Sequence, residues 1–386
     1  MGDTDLVRPL AHAGVPCAVV NVENHLVAYS RHTRALIPAL DAWNQPSELV
    51  ERMLDFAREQ HAKPILFYQS DADLLLVSRH RARLMEGFEL LLPGADLVED
   101  LVDKARFQRL ASDLGLPIPN SVLLSALTTP SEVELAFPAV LKPLVRQEAV
   151  WSEVANHEKV ILIDSFDRLL ELWPRIAALG GSFLAQEMVP GPEREIESYH
   201  AYIDGDGSVA GEFTGRKIRT LPLERGHSTA VEITASEDVA AAGRHVLSAL
   251  EFRGVAKVDF KRAPDRSLRL LEVNPRFTLW NNPGSVAGVN LPAMVYADLA
   301  GRPRPRPTQL RPGVRWCELM TDKEAARLEG MGRARWLWWA LRCETKHGSS
   351  WDDPLPFVRR QLLPYVARRW RRLSLFVRPR SGDRPL

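Results

Sequence analysis

Two short segments, GVAKVDFKR (254–262) and SLRLLEVNPR (267–276), constrain the fold of this chain more than any other feature. Each has the length and apolar content of a strand, and the Ala-Pro-Asp-Arg between them is turn chemistry, so they predict two adjacent antiparallel strands. Residues two apart on a strand share a face. Glu272 and Asn274 therefore lie together, and Asp259 on the neighbouring strand can face the same side. Two carboxylates and an amide oxygen are the hard oxygen donors that Mg²⁺ prefers, especially where it also holds phosphates. Taken by themselves, the same residues also fit a solvated strand face.

The surrounding pattern is mixed. FPAVLKP (137–143), KVILID (159–164) and FLAQEMV (183–189) read as strands, and SFDRLLELWPRIAAL as a helix capped by Ser165. IESYHAYID and SVAGEFTGRK flank Gly-Asp-Gly, a strong hairpin signal. DKARFQRLASDL (103–114) and residues 237–250 read as helices. Together these predict an α+β arrangement over about 101–300. Upstream, CAVVNV, a helix over 46–60 capped by Ser47, the strand PILFY and a capped helix after QSDAD give the strand–helix alternation of a parallel α/β layer. That layer lacks its usual opening strand, because a helix-like segment (Leu6–His12) begins almost at Met1. About ten residues are therefore expected to precede Met1 in the natural product.

Lys142 ends a strand in front of a proline, where a lysine serves as a point-charge phosphate binder or simply snorkels from a strand edge. Lys104 and Lys159 raise the same two readings. Neither GxxxxGK[ST] nor GxGxxG is present, so a nucleotide would have to bind without those motifs. QEMV (186–189) can place a strand end against an adenine edge, with Glu193 or Glu195 accepting from ribose hydroxyls, or can be plain surface.

In order and spacing, DKARFQRLASDLGLPIPNS, FPAVLKP, QEMVPGPEREIES, GVAKVDFKR and LEVNPRF resemble the ATP-grasp superfamily, over about residues 100–300. FTGRKIRTLPLERGHSTAVE is similar to a stretch of its carbamoyl-phosphate-synthetase-like and D-aspartate-ligase-like carboxylate–amine ligases. The resemblance implies an N-terminal pre-ATP-grasp α/β domain (1–100) and a two-subdomain ATP-grasp domain (101–300), and leaves outside it a basic, Trp-rich C-terminal extension (301–386) of helical character. It implies ATP, with Lys104, Lys142 and Lys159 on the phosphates, Glu187 and Val189 at the adenine, and Glu193 or Glu195 at the ribose. It implies Mg²⁺ or Mn²⁺ on Asp259, Glu272 and Asn274. Lys257 would face the γ-phosphate, Arg276 an acyl phosphate, and Lys217 and Arg219 the phosphates or an acidic substrate. The activity implied is ATP-dependent ligation of a small-molecule carboxylate and amine through an acyl phosphate. The alternative is a catalytically silent Mg·ATP-binding scaffold tethered at a membrane. The family's glycine-containing lid is replaced by LVRQEAVWSEVANHE, in which Arg146 would stand in for backbone contacts.

Composition adds the question of location. The net charge of +1 is a cancellation: residues 302–386 carry 20 Lys+Arg against 8 Asp+Glu, and the rest carries 30 against 41. Residues 357–380 hold eight arginines and no acid, which suits an anionic membrane surface or docking on the acidic body. Nucleic acid is disfavoured because no known binding fold accompanies the charge. With no signal segment, no membrane-spanning run and three cysteines in no CxxC pair, the expected place is the cytoplasm, or peripherally the inner face of a membrane.

Overall fold

The computed structural model describes residues 2–125, 128, 133–144, 160–178, 182–224, 226–306 and 308–365. The N-terminal part opens on the helix Thr4–His12, capped by Asp3, and then forms two parallel strand pairs. These are β1 (Cys17–Asn21) with β2 (Thr33–Pro38), and β3 (Ile65–Leu66) with β4 (Glu89–Leu90). The helices Pro46–Arg58 and Asp71–Arg79 cover them, burying Leu49, Met53, Leu74 and Val77 in one cluster. The first of these is not capped by Ser47. Pro46 already occupies its first turn, and Gln45 holds the cap position without accepting from a helix N–H. A proline suits that turn because its missing N–H would have no intrahelical partner there. The second is closed by a capping box between Ser70 and Asp73.

Two antiparallel assemblies follow. The smaller sheet contains β5 (Ser121–Ser125), β6 (Ala139–Pro143), β7 (Ile161–Ile163) and β8 (Ser182–Glu187), in the order β5-β8-β6-β7. Helix Phe166–Ala178 backs it through Leu169, Leu172 and Ile176, and Ser165 accepts from Arg168 N at its start. The larger sheet is built on β9 (Ile196–Ile203), β10 (Val209–Leu221), β11 (His227–Thr234), β12 (Gly254–Arg262) and β13 (Leu268–Asn274). Its order is β13-β12-β9-β10-β11, extended beyond β11 by β14 (Arg315–Cys317) and β15 (Thr345–Lys346), so the predicted hairpins become neighbours through β9. One face packs on the helix Glu237–Ala249 and Phe107, and the other on Leu6, Leu10, Phe277 and Trp280.

The last two strands come from the basic C-terminal segment. β14 (Arg315–Cys317) pairs antiparallel with β11, and β15 (Thr345–Lys346) pairs parallel with β14. Residues 347–353 then return to the N-terminal helix. His347 Nδ1 lies 2.7 Å from Asp5, which also accepts from Trp316 Nε1 and Asn282 Nδ2 at 3.0 Å. Buried Arg8 pairs with buried Asp353, which accepts from Ser30 Oγ and Arg31 N. The three cysteines are buried and free.

Candidate functional site

The site starts at β12 and β13. Their register sets Asp259 opposite Glu272 and Lys257 opposite Asn274, so all four side chains share one face. Asp259 is buried. It accepts from Ser198 Oγ on β9 and, through Oδ2, from Lys257 Nζ at 2.6 Å. Burial alone would raise its carboxyl, but the ammonium groups of Lys257 and Lys217 hold it below the ordinary range. Glu272 is exposed and accepts from Asn274 Nδ2 at 3.0 Å. Asn274 Oδ1 accepts in turn from Arg276 Nη2, whose guanidinium also reaches Asp71 and the Gln69 carbonyl. Arg276 thus ties the end of β13 to the N-terminal part. The donors at this edge are all hard oxygens and Asp259 stays ionised, so the set fits a Mg²⁺ ion.

Beside them a cavity of about 120 Å³ opens between the two sheets, lined in part by Lys104, Lys142, Glu272 and Asn274. Lys142 Nζ donates to Gln186 Oε1 on the neighbouring strand at 2.8 Å, and Lys104 Nζ to the Pro143 carbonyl at 2.9 Å. Burial pushes Lys142 down to about 8, with Lys104 adding to the fall and Glu272 and Glu193 opposing it. Gln186 is buried, and its Nε2 has no partner among the described residues. Gln186 and Ser198 thus orient the lysine and the carboxylate. Sequence reasoning missed both, although alternation along β9 and β8 places them.

The floor of the same face is aromatic. His200 stacks on Phe213 at 4.6 Å between centroids, and Trp280 tilts against it at 4.9 Å. Lys257 Nζ lies 5.8 Å from the Trp280 ring centre. Gly215 is required here, because a Cβ would sit 2.3 Å from Trp280 Cζ3. Burial first, and the Lys257 charge second, hold His200 neutral, well below its usual range. Lys217 and Lys261 both approach Glu193, at 3.7 and 3.8 Å.

Several comparisons bear on this arrangement. Residues 207–321 match the family model described as ATP-grasp in the biosynthetic pathway with Ter operon. The chain is 22% identical over 287 residues to the D-aspartate ligase of Enterococcus faecium, covering 70% of this chain and 68% of the relative. It superposes with a TM-score of 0.61 on the ADP complex of an N5-carboxyaminoimidazole ribonucleotide synthetase, at 14% identity, over 80% of this chain and 76% of that one. The chain has the ATP-grasp fold. A further match is the biotin carboxylase domain of the Hydrogenobacter thermophilus 2-oxoglutarate carboxylase with MgADP and bicarbonate, at TM-score 0.59 and 16% identity, over 80% and 70% of the two chains.

Within the ATP-grasp fold, Arg219 needs a correction. The sequence reading set it beside Lys217 toward phosphates or substrate, but its guanidinium is buried on the other face. It binds Asp322 through Nε at 2.7 Å and Nη2 at 2.8 Å, and lies 3.9 Å from the Trp339 ring centre. The cause is a bulge: Lys217 pairs with Val231, but Arg219 pairs with Ala230, so one residue too many lies between them. Glu187 has a local task too, accepting from Asn120 Nδ2 and Ala136 N at 3.2 Å. The N–H groups of Glu187 and Met188 go to the Asn120 and Pro138 carbonyls, so buried Val189 is the first residue past those bonds. Glu193 is engaged by its two lysines, whereas half-buried Glu195 makes no ion pair among the described residues. Lys159, Arg146 and most of the 144–158 stretch lie outside the described residues.

Proposed function

We propose that this protein is an ATP-dependent ligase that joins a carboxylate to an amine, releasing ADP and phosphate. One observation carries the reading: Asp259 faces Glu272 in register, and Glu272 and Asn274 line a cavity together with Lys104 and Lys142. The similarity to a D-aspartate ligase supports the carboxylate–amine chemistry, and the ADP-bound neighbour supports the nucleotide. In this reading Lys104, Lys142, Lys159 and Lys217 hold phosphates. Glu187 and Val189 border the adenine, and Glu195 rather than the engaged Glu193 takes the ribose. Asp259, Glu272 and Asn274 hold Mg²⁺ or Mn²⁺, which when bound neutralises phosphate charge.

The substrate carboxylate attacks the γ-phosphorus, the bond to the bridging oxygen breaks, and ADP leaves an acyl phosphate behind. The amine then adds to the acyl carbon, and the tetrahedral intermediate expels phosphate. Lys257 is held by Asp259 and Arg276 by Asn274 and Asp71, so both cations stand oriented before charge develops, where fixed donors are most effective. No side-chain nucleophile is needed. The charge asymmetry supports a peripheral place at the cytoplasmic face of an anionic membrane through residues 357–380, of which 357–365 are described.

The test is ADP release from Mg·ATP with a panel of carboxylates and amines. Glu272→Ala should lower turnover by at least about a hundredfold, the scale for removing one transition-state-stabilising group. Full activity in that variant would sink the metal assignment. ATP binding without turnover on any pair would instead favour an ATP-binding scaffold.

A further inference from the structure

The C-terminal segment contains a helix whose tryptophans point in two directions. Over Arg333–Leu341, Trp336 and Trp339 turn inward: Trp336 Nε1 donates to buried Asp322 at 2.9 Å, and Trp339 covers Arg219. The opposite side carries Leu337, Trp338 and Leu341, which are 53%, 58% and 63% exposed. At 100° per residue these three span an arc of about 100°. Arg333 borders that arc on one side, and Arg335 and Arg342 on the other. Arg342 stacks over the Trp338 ring at 3.5 Å. No acidic residue occurs from Met331 to Arg342. Trp351, downstream, is 97% exposed.

Single exposed apolar residues are ordinary, but three large ones in one stripe, flanked by arginines, mark a surface that something covers. We propose that the Leu337–Trp338–Leu341 face of this helix lies in the interface of an anionic lipid bilayer. The charge pattern selects this occupant. An apolar arc with arginines at both borders places the alkyl and indole groups at the acyl boundary and the guanidiniums among lipid phosphates. The inward tryptophans fix the helix to β10 through Asp322 and Arg219, so the face is presented already formed and needs no folding on contact. No helix among the described residues is long and apolar enough to cross a membrane, which fits a helix lying in the plane. This proposal takes its partner from the membrane reading above but assigns the contact to a different element from 357–380, and it does not depend on the ligase chemistry.

The experiment is flotation of the full-length protein with vesicles of phosphatidylcholine alone or with about one third phosphatidylglycerol. Wild type should float with the anionic vesicles and not the neutral ones, and should partly survive raised salt because its apolar face is not screened. The variant Leu337→Ser/Trp338→Ser/Leu341→Ser should lose at least about tenfold in bound fraction, given what burial of three such side chains is worth. Its urea midpoint should be unchanged, since these side chains make few internal contacts. A second full-length variant, Arg368→Gln/Arg369→Gln/Arg371→Gln/Arg372→Gln, separates the two elements. Flotation kept there but lost in the serine variant supports the helix and sinks the tail reading. Equal flotation of the serine variant and wild type overturns the helix proposal. So does wild type that ignores both vesicles, and so does concentration-dependent self-association that the serine variant abolishes without any flotation, which would make a second copy the occupant.

Discussion

Arg219 offers a sharp test, because sequence and structure assign it different work. Replacing it by leucine leaves the Asp322 carboxylate buried at 0% exposure, with Thr229 Oγ1 at 3.0 Å and Trp336 Nε1 at 2.9 Å as its remaining donors. Removing one partner of a buried ion pair costs about 3–5 kcal/mol. Two of four donors survive, which places the loss near the lower end, and the lost stacking on Trp339 adds about 1 kcal/mol. A total of about 4 kcal/mol is close to a thousandfold in the folded-to-unfolded ratio. The double variant Arg219→Leu/Asp322→Leu should recover at least about 2 kcal/mol of this, because apolar pairs often replace buried ion pairs without loss. Urea midpoints of wild type, both single variants and the double variant complete the cycle, with ADP release measured alongside. If Arg219→Leu keeps its midpoint but loses turnover, the guanidinium reads substrate, and the assignment to the ion pair is wrong.

Two predictions concern pH. Lys142, lowered to about 8 by burial, carries its charge below that pH and loses it above, so the apparent KM for ATP should climb from about pH 8 upward. Lys142→Arg keeps its charge and should abolish the inflection; an inflection that persists would assign the titration elsewhere. His347 is lowered by burial, but the hydrogen bond and charge of Asp5 outweigh this and raise it to about 9. A raised histidine stabilises the fold fully below its unfolded value near 6.5, and that contribution disappears as pH rises through about 9. His347→Asn should therefore cost on the order of 2–3 kcal/mol at pH 6 and little at pH 10, and a pH-independent difference in urea midpoint would refute the pairing.

What the sequence made legible follows from locality. That Glu272 and Asn274 share a face was readable from alternation alone, but the pairing of Asp259 with Glu272 rests on a bulge: Phe260 pairs with Leu270, so counting on from the turn would set Asp259 opposite Leu271. Lys142 was readable because a proline follows it directly in a short apolar strand. The short strand Arg315–Cys317 was not readable, since three residues carry no periodicity and the partner β11 lies about 85 positions upstream. Neither was the aromatic floor: Trp280, His200 and Phe213 meet only after the sheet has assembled. Trp336 and Trp338 look alike in the chain, and only tertiary packing sends one inward and the other out.

The bulge at Ile218 also alters how this chain is compared with others. Up to Lys217, counting by twos along β10 keeps a residue on the cleft side, so positions carry over between related strands. One extra residue later, inside and outside exchange, and an ungapped alignment sets a structural arginine opposite cleft-facing positions. Identity at such a position would be a coincidence of frame, and difference there would say nothing about chemistry. Any transfer of roles along this strand must treat Ile218–Arg219 as a local interruption, because a second irregularity between Arg219 and Thr220 returns the pairing to its earlier count.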